Sequence, residues 1–134
     1  MRESVGSENK FLTLEAGGGL FAIPICDIKG IVIAHQEMPF AALPHMPDHV
    51  KGVVTVGDQL VTVITLPGEK KDVQLLGKHI VMLVHPERAI GVVANSVTLA
   101  TIPDEDISVD QIMGTKTCKN GNKMFSIVDI NDLF

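Results

Sequence analysis

Tryptophan and tyrosine are absent from the 134 residues, phenylalanine occurs five times and cysteine twice. Without indole and phenol rings the chain lacks the usual platforms for stacked bases, and a net charge of -5 supplies no positive field to gather phosphates. Nucleic acid is excluded as a partner class. Long apolar runs are also missing: stretches such as Ile80 to Val84 fall far short of the roughly 18 residues that span a bilayer, so no direct membrane insertion is expected. Met1 to Lys10 is polar and has no apolar centre of the kind a secretion signal carries. Residues 1–10 are therefore expected to be a disordered lead, and residues 11–134 one cytoplasmic domain. With two cysteines, Cys26 and Cys118, in a cytosolic chain of this size, free thiols are the expectation rather than a bridge.

What the chain does have is aliphatic, β-branched residue in short runs. Hydrophobic residues make up 46% of it, weighted toward Val, Ile and Leu, which suits strands and an aliphatic core. Strand patterns recur at Phe11 to Leu14, Leu20 to Ile25, Ile28 to Ala34, Val50 to Val56, Leu60 to Leu66, His79 to Val84, Ala89 to Ala94 and Val97 to Ile102, punctuated by Gly, Pro, Asp and Asn. Two more are signalled around Asn120-Gly121, a pair that supplies the positive φ angles of a two-residue hairpin turn. About ten closely spaced strands imply a barrel or sandwich. The His79 to Val84 run is apolar at successive positions, so both faces should be buried. Gly17 to Gly19 should close a hairpin, and Pro24 should mark an edge or a bulge because it lacks a ladder N–H. Glu37 to Pro47, with three prolines, is the longest irregular connection, and Pro67 to Leu76 the second. No internal repeat is visible.

No catalytic chemistry emerges. Gly17 to Gly19 is followed by neither phosphate-loop pattern, and it opens no helix. His45 and His49 have the four-residue spacing of helical metal ligands, but Pro44 and Pro47 oppose a continuous helix there. Asp104, Asp106, Ser108 and Asp110 alternate like the start of a calcium loop, yet Val109 stands where that loop needs glycine and Thr115 where it needs glutamate. There is no G-x-S-x-G elbow. The lysines Lys116, Lys119 and Lys123 read as ordinary loop-tip surface. The expectation is a non-enzymatic β domain with no cofactor and no metal, one that presents a surface to other proteins.

The segment Leu43-Pro-His-Met-Pro-Asp-His-Val-Lys-Gly-Val-Val54 resembles a signature of the CheW-like family, adaptor proteins of bacterial chemotaxis signal transduction. Phe11 to Leu14 and Phe21 to Ile31 resemble its opening strands, Ile80 to Val84 with Ile90 to Val97 a later strand pair, and Gly121 to Phe134 its close. The resemblance implies an all-β fold of two small five-stranded barrels that share a hydrophobic core, with short helical segments. It implies a scaffold that binds a CheA-type histidine kinase, with methyl-accepting chemoreceptors as a further partner. By position, the implied receptor-side residues are Ile25, Ile28, Gly30, Gly57 and His79. Lys51 and Gly52 lie in the best-matched motif and either touch the kinase or serve the backbone. Where the family carries arginine this chain has Gly57, and an acidic position is Gly30, so the resemblance implies weak receptor coupling with kinase binding retained. Two other readings stand beside it. One is a divergent CheW-like module without receptor coupling; the other is a small-ligand or metal-binding β-barrel, motivated by five histidines and two cysteines.

Overall fold

A computed structural model describes residues 8–35, 38, 40–42, 45, 49–66 and 75–129. Most of the Leu43 to Asp48 motif, most of the second connection and the last five residues lie outside that set. Strands β1 (Glu8–Ala16) and β2 (Gly19–Pro24) form a hairpin around Gly17-Gly18, and a 3-10 turn at Ile25–Asp27 carries the chain into a second sheet. That sheet is built from β3 (Ile28–Ile33), β4 (Phe40–Ala41), β5 (Val50–Val56), β6 (Gln59–Ile64), β7 (His79–Leu83) and β8 (Ile90–Ala94). The chain then returns through β9 (Ser96–Pro103), a second 3-10 turn at Asp104–Asp106, β10 (Ile107–Val109), β11 (Lys116–Asn120) and β12 (Lys123–Ile127).

The two six-stranded sheets have one topology. The first runs β9-β1-β2-β12-β11-β10 and the second β3-β7-β8-β6-β5-β4. In both, successive pairs are antiparallel, antiparallel, parallel, antiparallel and antiparallel. The fold is thus an internal duplication in which β1 and β2, first in the chain, complete the barrel begun by β9 to β12. Sequence shows no such repeat because the matching parts are circularly permuted and share only an aliphatic pattern. In the first sheet the end strands β9 and β10 are joined by the Asp104–Asp106 corner alone, so the sheet curls on itself and counts as five strands, one of them bent. This is the expected pair of five-stranded barrels.

Side-chain alternation then divides the core in three. Phe11, Ala22, Ile102, Cys118 and Phe125 fill the first barrel, and Ala34, Val54, Val61, Val63, Ile80 and Val93 the second. Between them Leu12, Leu14, Ile23, Ile64, Leu66, Val81, Leu83, Ile90, Val92 and Val128 form the shared core. β7 serves two of these: Ile80 points into its barrel and Val81 and Leu83 into the shared core, as an uninterrupted apolar run requires. Val84, expected in that strand, lies beyond it and is exposed.

Four expectations need correction. β1 begins at Glu8, so Glu8 to Lys10 pair with Pro103 to Thr101 rather than belonging to a loose lead. Pro24 is neither on an edge strand nor at a bulge; it ends β2 past the last residue paired with β12, where its missing N–H is not needed, and leads into the 3-10 turn. The β11–β12 turn is centred on Gly121-Asn122, one residue later than expected, with Gly121 at φ 66° in the first central position. Finally, β4 and β10 are additional strands of two and three residues, too short to leave a period-2 signal.

Candidate protein-docking surface

The first 3-10 turn lies where the chain crosses between barrels, and it sets Ile25 and Ile28 half-buried against the shared core. β3 then runs beside β7 as an end strand of its sheet. A register shift between Ile28 and Gly30 leaves Lys29 as the extra residue, and this resets which face each following side chain takes. Gly30 pairs with Met82, and a Cβ there would lie 3.2 Å from the Met82 methyl, so this position faces the second barrel and not the seam. Ile31 and Ile33 pair with Val81 and His79 instead, on the face that carries the shared core. They project beside the seam at 40% and 57% exposure. His79 sits half-buried between Ile33 and Ala94, with its Nδ1 enclosed and without a hydrogen-bond partner among the described residues.

Gly57 lies apart from this row. It is the first residue of the β5–β6 turn, at φ 63°, with open space around a would-be Cβ. The nearby Lys29 ammonium donates to Gln59 Oε1 at 3.4 Å, on the rim of an open depression of about 500 Å³ that Met82, Val84 and His85 help to line. Of the five receptor-side candidates, the fold therefore gathers Ile25, Ile28 and His79 along the β3–β7 seam. It leaves Gly30 facing inward and Gly57 at the end of the barrel.

Lys51 occupies the second register break, between Val50 and Gly52. Gly52 is buried, and any side chain there would run into the Ala41 carbonyl oxygen and come within 2.8 Å of the Phe40 ring. Its requirement is structural: β4 lies across it, and Phe40 covers the bare backbone.

Sequence reasoning placed Ile31 and Ile33 only within the Ile28 to Ala34 strand and did not single them out. Four aliphatic residues with one lysine and one glycine on what proves to be an end strand are the signal that was available. It also missed the loop after β10. There Asp110 Oδ1 accepts the N–H groups of Ile112 and Met113 at 2.9 and 3.0 Å, and the Gly114 N–H donates to the Asp110 carbonyl at 2.7 Å. This holds Ile112 at 93% and Met113 at 73% exposure. The two backbone N–H groups stabilise the carboxylate and lower the Asp110 pKa from its ordinary value. Among the described residues no three His, Cys, Asp or Glu side chains cluster as metal ligands, and no helix is long and apolar enough to cross a membrane.

The family model of the CheW-like domain matches residues 10–134. The chain belongs to the CheW-like family. Scaffold and adaptor modules of chemotaxis signalling make up this family, and the duplicated barrels are its fold. Among solved structures, the scaffolding protein TtCheW from Thermoanaerobacter tengcongensis superposes with a TM-score of 0.72 at 18% identity, covering 90% of this chain and 88% of that one. No curated protein matches the chain by sequence.

Proposed function

We propose that residues 11–134 act as one cytoplasmic, non-enzymatic adaptor module that binds a CheA-type histidine kinase and contacts chemoreceptor tips weakly through apolar surface. The observation that carries the reading is the aliphatic row at the seam. Ile25 and Ile28 continue into Ile31 and Ile33, and a water-exposed row of this kind on a folded domain marks a docking face. Gly57 offers no guanidinium for a paired contact with a carboxylate, and Gly30 offers no acid to complete one. Receptor contact should then bury area without strong charge pairing and vary little with salt. Lys51 and Gly52 belong to the motif assigned to the kinase side, where Gly52 shapes the backbone.

Binding of the purified protein to a CheA regulatory domain and to a receptor signalling tip, measured separately over a salt series, tests this. Kinase binding should persist, and the receptor contact should be weak and nearly flat with salt. Ile33→Ser should weaken the receptor contact further. A tight receptor contact that collapses with salt, and is lost in Lys29→Gln, would assign the charge role to Lys29 and overturn the apolar reading. Absence of kinase binding would overturn the adaptor assignment itself.

A further inference from the structure

His85 lies in the connection between β7 and β8, and its imidazole serves there as a hydrogen-bond acceptor. Nδ1 receives the backbone N–H of Glu87 at 3.1 Å and that of Arg88 at 3.0 Å. Asp110 Oδ1 holds the N–H groups two and three residues further on in the same way, yet a proton acts differently on the two acceptors. A carboxylate that gains a proton keeps acceptor capacity, whereas Nδ1 has one lone pair and becomes a donor. Pro86 stands between the acceptor and its two donors, with no N–H of its own and a fixed φ. The turn therefore rests on the two bonds to Nδ1.

The ends of the connection are tied to other elements. The Val84 N–H donates to the Asp27 carbonyl at 2.8 Å, and the Thr62 N–H to the Ala89 carbonyl at 2.9 Å. A change at His85 is thus confined to residues 85–88, one wall of the open depression whose rim carries Lys29 and Gln59. Among the described residues, the charged groups that line this depression are Lys29 from β3 and Glu87 and Arg88 from the connection itself. β6 adds the uncharged Gln59 and β7 the apolar Met82. A proton on His85 places a third cation beside Lys29 and Arg88, opposed by the Glu87 carboxylate alone.

We propose that the His85 turn is an acid-operated latch on this depression, closed while Nδ1 is bare and opened when that nitrogen binds a proton. In the closed state the ring carries its proton on Nε2, since two N–H groups point at Nδ1. Protonation then acts twice in the same direction. It turns the acceptor into a donor that faces two donors, and it gathers like charges on one rim. Glu87 and Arg88 take water for their N–H groups, and the depression becomes more positive as its wall opens.

Nuclear magnetic resonance on the whole chain reads both halves of this. At about pH 8 the ring nitrogen shifts of His85 should show Nε2 protonated and Nδ1 bare, and the reverse tautomer would overturn the proposal. When the pH is carried to about 5, across the interval in which imidazoles take up a proton, the Glu87 and Arg88 amide protons should move toward random-coil positions. Those of Val84 and Thr62 should hold. His85→Asn supplies an acceptor that does not titrate, in the geometry that Asp110 uses, and should keep the closed-state shifts at both ends of the range. His85→Ala should show the open-state shifts at both ends. His79 is followed separately through its strand partners Ile33 and Ala94. Glu87 and Arg88 amides that ignore acid in the parent would overturn the proposal, as would an equal acid response in His85→Asn, which would assign the titration to another group.

Discussion

Gly57 and Gly52 show how different two glycines in one hairpin can be. Gly57 needs its φ of 63°, a region that costs other residues about 1–2 kcal/mol, while its surroundings are empty. Gly57→Arg should therefore fold with a loss of about 1 kcal/mol, read from denaturant midpoints, and any gain in receptor binding would come on top of that loss. Gly52→Ala has no such room, because the Ala41 carbonyl and the Phe40 ring occupy the place of the methyl. Loss of β4 pairing, seen as new fast-exchanging amides at Phe40 and Ala41, is the expected result. Leu83, buried in the shared core, should cost about 2–5 kcal/mol when cut to alanine. The two thiols should separate just as clearly. Cys26 is exposed, whereas Cys118 is buried in the first barrel, and burial raises its pKa. A thiol reagent should label Cys26 in the folded protein and reach Cys118 only after unfolding, so rapid native labelling of Cys118 would contradict its place in the core.

Among the elements, the two 3-10 corners are instructive. Ile23-Pro24-Ile25-Cys26-Asp27-Ile28 and Ile102-Pro103-Asp104-Glu105-Asp106-Ile107 share Ile-Pro-x-x-Asp-Ile, and they share geometry. Each proline precedes the turn in an extended conformation, and each closing isoleucine donates its N–H to the first carbonyl of the turn. One corner moves the chain to the other barrel and the other folds it back on its own. The loop after β10 is controlled by a single carboxylate. The Asp110 pKa is depressed in the folded state, so its support for the loop is complete above the unfolded value and is lost as pH falls through the folded one. Amide resonances of Ile112 and Met113 should shift with a midpoint below the ordinary aspartate range, and Asp110→Ala should abolish that titration. An unchanged titration in the variant would show that another group orders the loop.

At the scale of the molecule the barrels are not separable units. The chain crosses between them twice, β1 and β2 complete a barrel whose other strands come from the far end, and the shared core takes residues from both sheets. Unfolding should be one cooperative transition by every probe, with signals from Phe11 in one barrel and Phe40 in the other coinciding. Two resolved transitions would mean that the shared core contributes little.

Much of this was legible beforehand. Ten of the strands, the hairpin at Gly17-Gly18, the burial of both faces of β7 and the resemblance to the CheW-like family all follow from local pattern, since apolar alternation and turn residues act within a few positions of themselves. The two shortest strands were not, because two or three residues carry no period. The candidate site was legible in part. Ile25 and Ile28 were readable by position, yet Ile31 and Ile33 were hidden, since one extra residue at Lys29 swaps the faces of everything after it and nothing local announces the swap. Sequence by itself determined the class of elements and the aliphatic character of the cores, both set by short-range sterics and hydrophobicity. Tertiary structure alone decided which barrel each corner serves, why Gly52 must be bare and which face of β3 meets water, because each depends on strands distant in the chain that pack against it.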